Sequence, residues 1–256
     1  MSEINDIFYF NGFKIEIKII SQKNTNLEPI VLLHEGLGSI SLWKDWPLKL
    51  SENTKRTVIL YSRIGMGNSS PIKTDRNSRY MHEEATNILP NLLKYLDVSN
   101  PILLGHSDGA SIALIYAGSG HKSKYLILEA PHVFVEKISI KGIKNAKHSW
   151  KNNNLKNKLN KHHNDVDGAF HGWYNIWTSK EFRNWNIEEY LPKIHVPILM
   201  FQGLNDEYGT LKQLDSIENS AKGKTTRIEL EDCGHSPHSL YPNKIIDKIK
   251  EFINIH

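Results

Sequence analysis

Hydrophobic positions along this chain follow two rhythms. Near the start, "IFYF" and "FKIEIKII" flank Asn11-Gly12. That pair tolerates the positive φ angles of a two-residue turn, so a β-hairpin is predicted. Beyond it, short unbroken apolar runs recur at "PIVLLH" (29–34), "TVILYS" (57–62), "PILLGH" (101–106), "YLILEA" (125–130), "VPILMFQ" (196–202) and "TRIELE" (226–231). Runs that are continuous rather than alternating suit strands covered on both faces. Between them lie stretches of helical period, including 81–98, 109–119 and 243–255. Strand alternating with helix predicts an α/β fold: a mainly parallel twisted sheet, flanked by helices and joined by right-handed crossovers.

One segment breaks the alternation. Between Pro131 and Val196 there is no strand-like run, only a lysine- and asparagine-rich stretch followed by a tryptophan-rich one. Residues 132–195 are therefore predicted to form a helical cap over one edge of the sheet. No repeat or low-complexity linker sets it apart, so residues 1–256 are expected to make one domain with the cap inserted in it.

Composition narrows the function classes. The 32 basic and 28 acidic side chains leave a net charge of +4, too little and too dispersed to suggest a nucleic-acid partner. Lysines 144, 147, 151, 156, 158 and 161 form the one local cluster, read as a solvated helix face. The N-terminal segment lacks the features of a signal peptide, and no apolar stretch approaches the ~18–20 residues of a membrane span. With Cys233 the only cysteine, no internal disulfide can form, and a cytoplasmic protein is expected.

The chemistry concentrates at "GHSDGA" (105–110), between a predicted strand and a predicted helix. A G-x-S-x-G sequence in that place is a nucleophile elbow: Ser107 sits on a strained turn, and its neighbours two residues away must be small. Serine needs a base, and the base an acid to orient it. "GLNDEYG" supplies Asp206 and "DCGHSPH" supplies His235, each just past a predicted strand and in the order Ser, Asp, His. Glu207 and Asp232 are competing acids, the latter too near His235 in sequence to come from the preceding loop. The amide of Asp108 and that of Gly36, in the glycine-bearing loop "LLHEGLGS" (32–39), are the predicted oxyanion donors.

These stretches, with "SRIGMGNS" (62–69) and "GHSPHSLYP" (234–242), resemble the α/β-hydrolase superfamily, in particular its capped esterase, lactonase and carbon–carbon hydrolase branch. The resemblance runs over nearly the whole chain and implies a serine hydrolase without a cofactor. The chain departs from the usual pattern at Glu35, Ser62, Ile64 and Asp108, and lacks proline after the acid. Such departures mark a variant subgroup and bear on the substrate.

Other polar clusters read more plainly. His106 is expected to pack behind the elbow, His34 and Arg63 to support loops, and "HHNDVDGAFH" (162–171) to be solvated cap surface, its spacings matching no common metal site. Of the six tryptophans, some anchor the cap; Trp43, Trp173 and Trp177 are assigned to an apolar acyl or aryl pocket, with Tyr208 as a donor to substrate. Glu35 is placed there too, either as a second acid or as a buried hydrogen bonder.

The expectation is hydrolysis of a small to medium ester, thioester or lactone through an acyl-enzyme. Carbon–carbon bond hydrolysis of vinylogous diketones, acyl transfer, and a slow-turnover ligand receptor remain alternatives.

Overall fold

The computed structural model describes residues 1–23 and 25–256. Strands β1 (Ser2–Phe10) and β2 (Phe13–Ser21) form the hairpin, its turn made by Asn11 and Gly12 with φ of 48° and 78°. Then follow β3 (Ile30–Leu33), α1 (Trp46–Thr54) and β4 (Val58–Tyr61). A helical stretch runs through α2 (Tyr80–Glu83), a π turn (Glu84–Ile88) and α3 (Leu89–Tyr95). It leads to β5 (Ile102–His106), α4 (Asp108–Gly118) and β6 (Tyr125–Glu129).

After β6 come α5 (Lys137–Lys151), α6 (Asn154–Leu159), α7 (Val166–Thr178) and two 3₁₀ turns. The chain finishes with β7 (Ile198–Gly203), α8 (Lys212–Ser220), β8 (Thr225–Leu230), α9 (Pro237–Leu240) and α10 (Pro242–Ile255). Helices α1 and α8 lie where no helical period had been read: both are nine residues long and mostly polar, too short to repeat an apolar stripe over several turns.

The eight strands form one sheet in the order β1-β2-β4-β3-β5-β6-β7-β8. β1 with β2 and β2 with β4 are antiparallel, and every other pair is parallel. Successive residues point to opposite faces, which divides the core in two. Val31, Leu33 and Leu103 pack on α4 and the inserted helices; Ile30, Leu32, Ile102 and Leu104 pack with α1 and α10. Helix α4 is buried along its whole length, as a helix apolar on all sides should be. Among the described residues, no helix is long and apolar enough to cross a membrane, and Cys233 is buried and unpaired with another cysteine.

In the segment "HHNDVDGAFH", Asp165, Asp167 and His171 are exposed as expected, but His163 is not. His163 is 5% exposed; its Nδ1 accepts from the Gly67 amide (3.0 Å) and its Nε2 donates to the Leu37 carbonyl (2.9 Å). Asp165 caps α7 by accepting from the Gly168 amide at 2.8 Å. The histidine therefore joins the inserted helices to two loops of the sheet edge, a contact over more than 90 residues that local sequence does not announce. Among the described residues no group of His, Cys, Asp and Glu is arranged to hold a metal.

Candidate active site

At the C-terminal end of β5 the chain reverses into α4 through Ser107, whose φ of 54° and ψ of −117° are strained for a residue with a side chain. The flanking glycines are sterically required. A methyl group at 105 would overlap the Gly109 carbonyl, and one at 109 would overlap the Leu33 carbonyl. Strand, turn and helix can approach this closely only because both positions lack Cβ.

The loops after β7 and β8 bring Asp206 and His235 to the same edge. His235 Nδ1 lies 2.9 and 2.8 Å from the two carboxylate oxygens of Asp206, and Nε2 lies 2.8 Å from Ser107 Oγ. An ionised carboxylate only accepts, so Nδ1 carries the proton and Nε2 takes the hydrogen bond that the serine donates. Asp206 is held in turn by Gln202 Nε2 (2.6 Å) and the Tyr208 amide (2.7 Å). Burial pulls the His235 imidazole down, but the adjacent Asp206 outweighs it and the ring is more basic than usual. Burial opposes ionisation of Asp206, while His235 and the Tyr208 amide carry its carboxyl below the ordinary range. Neither Glu207 nor Asp232 hydrogen-bonds to His235.

Beneath the elbow, Arg63 ties the loop after β3 to the start of α4. Its Nη2 donates to the Glu35 carbonyl at 2.8 Å and lies 3.7 Å from Asp108 Oδ2, which also accepts from the Tyr80 hydroxyl at 2.6 Å. Tyr80 receives the Trp177 indole N–H at 3.1 Å. The Asp108 side chain is thus turned into the protein, away from its amide at the start of α4. His34 supports the other loop, donating from Nδ1 to the Glu35 carbonyl and accepting at Nε2 from the Arg63 amide. His106 sits behind the elbow at 2% exposure, donating from Nε2 to the His235 carbonyl at 2.7 Å.

A cavity of about 320 Å³ opens over Ser107 between the sheet edge and the inserted helices. Glu35, Gly36, Asp108, Trp173, Trp177, Tyr208 and His235 all line it. Trp43 does not. It is 4% exposed and stacks on Trp46 and His238 on the opposite face of the sheet, because the 3₁₀ turn that carries it (Ile40–Trp43) leads directly into α1 on that side. A larger groove of about 770 Å³ borders the N-terminal hairpin, but Ser107, Asp206 and His235 do not line it.

Sequence reading missed His132, which also lines the cavity. Its ring lies 5.7 Å from that of His235 and 5.2 Å from that of Trp177, with Nδ1 buried and unpartnered. Burial, aided by His235, lowers it to about 4, so it stays neutral at physiological pH. Its place just past β6, at the strand ends where open α/β sheets bind ligands, was the available signal.

Residues 28–186 match the family model for the alpha/beta hydrolase fold. The chain belongs to that family. It is 34% identical over 107 residues to proline iminopeptidase of Lactiplantibacillus plantarum, covering 42% of this chain and 37% of that enzyme; the chain thus matches under two fifths of this relative's length. Its fold is similar to the esterase EaEST from Exiguobacterium antarcticum (TM-score 0.77, 21% identity, 95% and 97% of the two chains). It is equally similar to the enol-lactonase from Burkholderia xenovorans LB400 (TM-score 0.77, 15% identity, 97% and 100%).

Proposed function

We propose that this α/β-hydrolase family member is a serine hydrolase of small to medium carbonyl substrates, with esters, thioesters and lactones as the leading class. The observation that carries the reading is the continuous chain Ser107 Oγ, His235, Asp206, with both links at 2.8 Å, opening onto a cavity. Ser107 attacks the carbonyl carbon while its proton passes to His235 Nε2. The leaving group departs with that proton as an alcohol or thiol. Water then gives a proton to His235 and its oxygen to the acyl carbon, releasing the acid and restoring Ser107.

Asp206 holds the imidazole in the tautomer that accepts from serine, and the amides of Gly36 and Asp108 stabilise the oxyanion. Both residues border the cavity beside Ser107. The inserted helices act as a cap, with Trp173 and Trp177 excluding water from the acyl site and Tyr208 beside His235 as a donor to substrate. A cavity of about 320 Å³ lies at the small end of the usual ~300–1,000 Å³ for ligand sites, favouring short acyl groups.

The test is hydrolysis of p-nitrophenyl esters from acetate to dodecanoate by wild type and Ser107→Ala. Short esters should be turned over by wild type, and the variant should lose at least about 10⁴-fold in kcat while keeping its circular-dichroism spectrum. Full activity in the variant would sink the assignment.

A further inference from the structure

A serine triad uses one carboxylate, behind its histidine, yet, apart from Asp108, whose carboxylate is taken up by Tyr80 and Arg63, the wall of this cavity carries two more. Glu35 and Glu207 both line it, and among the described residues no lysine or arginine does. Glu35 receives its hydrogen bonds from Gly38, His34 and Arg63 at the backbone carbonyl, and among the described residues nothing donates to either glutamate's carboxylate. The Glu35 side chain is 28% exposed and Glu207 is exposed, so both carboxylates stay open to the solvent of the cavity and to a ligand that enters it. Among the described residues, the only ion-pair geometry at Glu35 is a contact of 3.8 Å from Oε2 to His106 Nδ1, beyond hydrogen-bond length.

That contact is itself incomplete. His106 already donates from Nε2 to the His235 carbonyl, so its Nδ1 presents a lone pair, which is buried and has no partner. Burial, with His235 and His238 adding to it, keeps this ring well below the usual histidine range, so it brings no positive charge. A carboxylate and an imidazole lone pair therefore face each other with no donor between them. Aromatic surface stands nearby: Trp173 packs over Gly36, and the Tyr208 ring lies 4.7 Å from that of His235. Such faces attract cations as well as apolar groups. Leu37, Leu42 and Ile143 make up apolar wall.

We propose that the site is selective for small carbonyl substrates bearing a protonated amine close to the scissile carbonyl, with Glu35 as the principal acceptor of the ammonium and Glu207 adding negative charge. This rests on the serine hydrolase reading and refines its substrate class. The ammonium does not react: it supplies the donors that Glu35 lacks and orients the carbonyl toward Ser107. Glu35 is thereby a specificity-determining residue, one that stands where relatives of the resembled branch commonly carry glycine.

The experiment has two stages. Phenylmethylsulfonyl fluoride labelling, read by mass spectrometry, first establishes whether Ser107 is nucleophilic; absence of labelling together with absence of any ester hydrolysis overturns the hydrolase reading itself. Then kcat/KM is measured at about pH 6.5, where an α-amine is charged, for L-alanine methyl ester and methyl isobutyrate. The second ester replaces the ammonium with a methyl group of similar size. Each value is divided by that ester's rate with hydroxide, which removes the difference in intrinsic reactivity.

The corrected preference for the amino ester should be about 30-fold or more in wild type and fall to about 5-fold or less in Glu35→Gln. A wild-type ratio near one overturns the amine proposal and leaves the hydrolase intact. So does a large ratio that survives both Glu35→Gln and Glu35→Gln/Glu207→Gln. Labelling of Ser107 with turnover of neither methyl ester, while p-nitrophenyl acetate is hydrolysed, likewise overturns it.

Discussion

Two histidine–carboxylate pairs stand side by side at the edge of this sheet. His235 meets Asp206 at 2.8 Å, and His238, three residues on, meets Glu129 at 2.7 Å. In both, burial disfavours the imidazolium and the carboxylate more than restores it, so both rings are more basic than usual. What differs is the surroundings. His235 presents Nε2 to Ser107 at the floor of a cavity, whereas His238 is enclosed by Trp43 and Trp46, with ring centroids at 4.6 and 5.2 Å. Glu129 is fully buried and also accepts from the His238 amide at 3.1 Å. The same pair of residue types thus faces a serine and a cavity at one site and is sealed among aromatic rings at the other; on the proposed function, the first transfers protons and the second braces. The Glu129 carbonyl even holds the Ser107 amide at 2.9 Å, so the bracing pair supports the elbow.

Breaking each pair should separate these roles. The largest effect is expected from Asp206→Asn, which leaves the shape but favours the wrong imidazole tautomer: kcat should fall about 10⁴-fold with little change in thermal stability. Glu129→Ala should do the converse. It strands a buried imidazole and should cost about 3–5 kcal/mol of stability, a Tm loss on the order of 10 °C by differential scanning fluorimetry, while kcat per folded molecule stays within about tenfold of wild type.

The pairs also predict a pH signature. His235 acts as a base only when neutral, so kcat/KM should rise with pH, with a midpoint above ~6.5. Stability moves the other way. Because His238 binds its proton more tightly when folded, its contribution is complete below ~6.5 and fades as pH climbs through the raised value. The Tm of wild type should therefore lose this increment above ~6.5, and His238→Gln should flatten that part of the curve.

The smallest effects come from the tryptophans on the two sides of the sheet. Trp173→Phe should raise KM for short esters about threefold to tenfold, and Trp43→Phe should leave KM within about twofold while lowering stability by roughly 1–3 kcal/mol. Equal KM changes in both would contradict the placement of Trp43 outside the cavity.

Much of the framework was readable from local pattern. The Asn11-Gly12 hairpin, the parallel strands and the helix after Ser107 each follow from a few neighbouring residues. The small flanks of Ser107 are dictated by the backbone atoms a Cβ would strike. What escaped was long-range. His132 drew no notice at the start of the predicted cap, His163 looked like solvated surface, and Trp43 like a pocket wall. Nothing within ten residues of any of them states what each meets across the fold. Helices α1 and α8 were missed for a different reason: each is only nine residues long, and α8 offers just Leu214 and Ile217 as apolar positions.

The sequence by itself determined the order of strands and helices, the strained turn at Ser107 and the succession Ser, Asp, His past three strand ends, because hydrophobic period and backbone sterics act between near neighbours. Only the tertiary structure decided which histidine–carboxylate pair faces a cavity and which is sealed, and that Glu35 stands opposite a lone pair with no donor between. Those outcomes depend on which groups packing leaves in contact with water or with a ligand, and residues up to 129 positions apart along the chain share them.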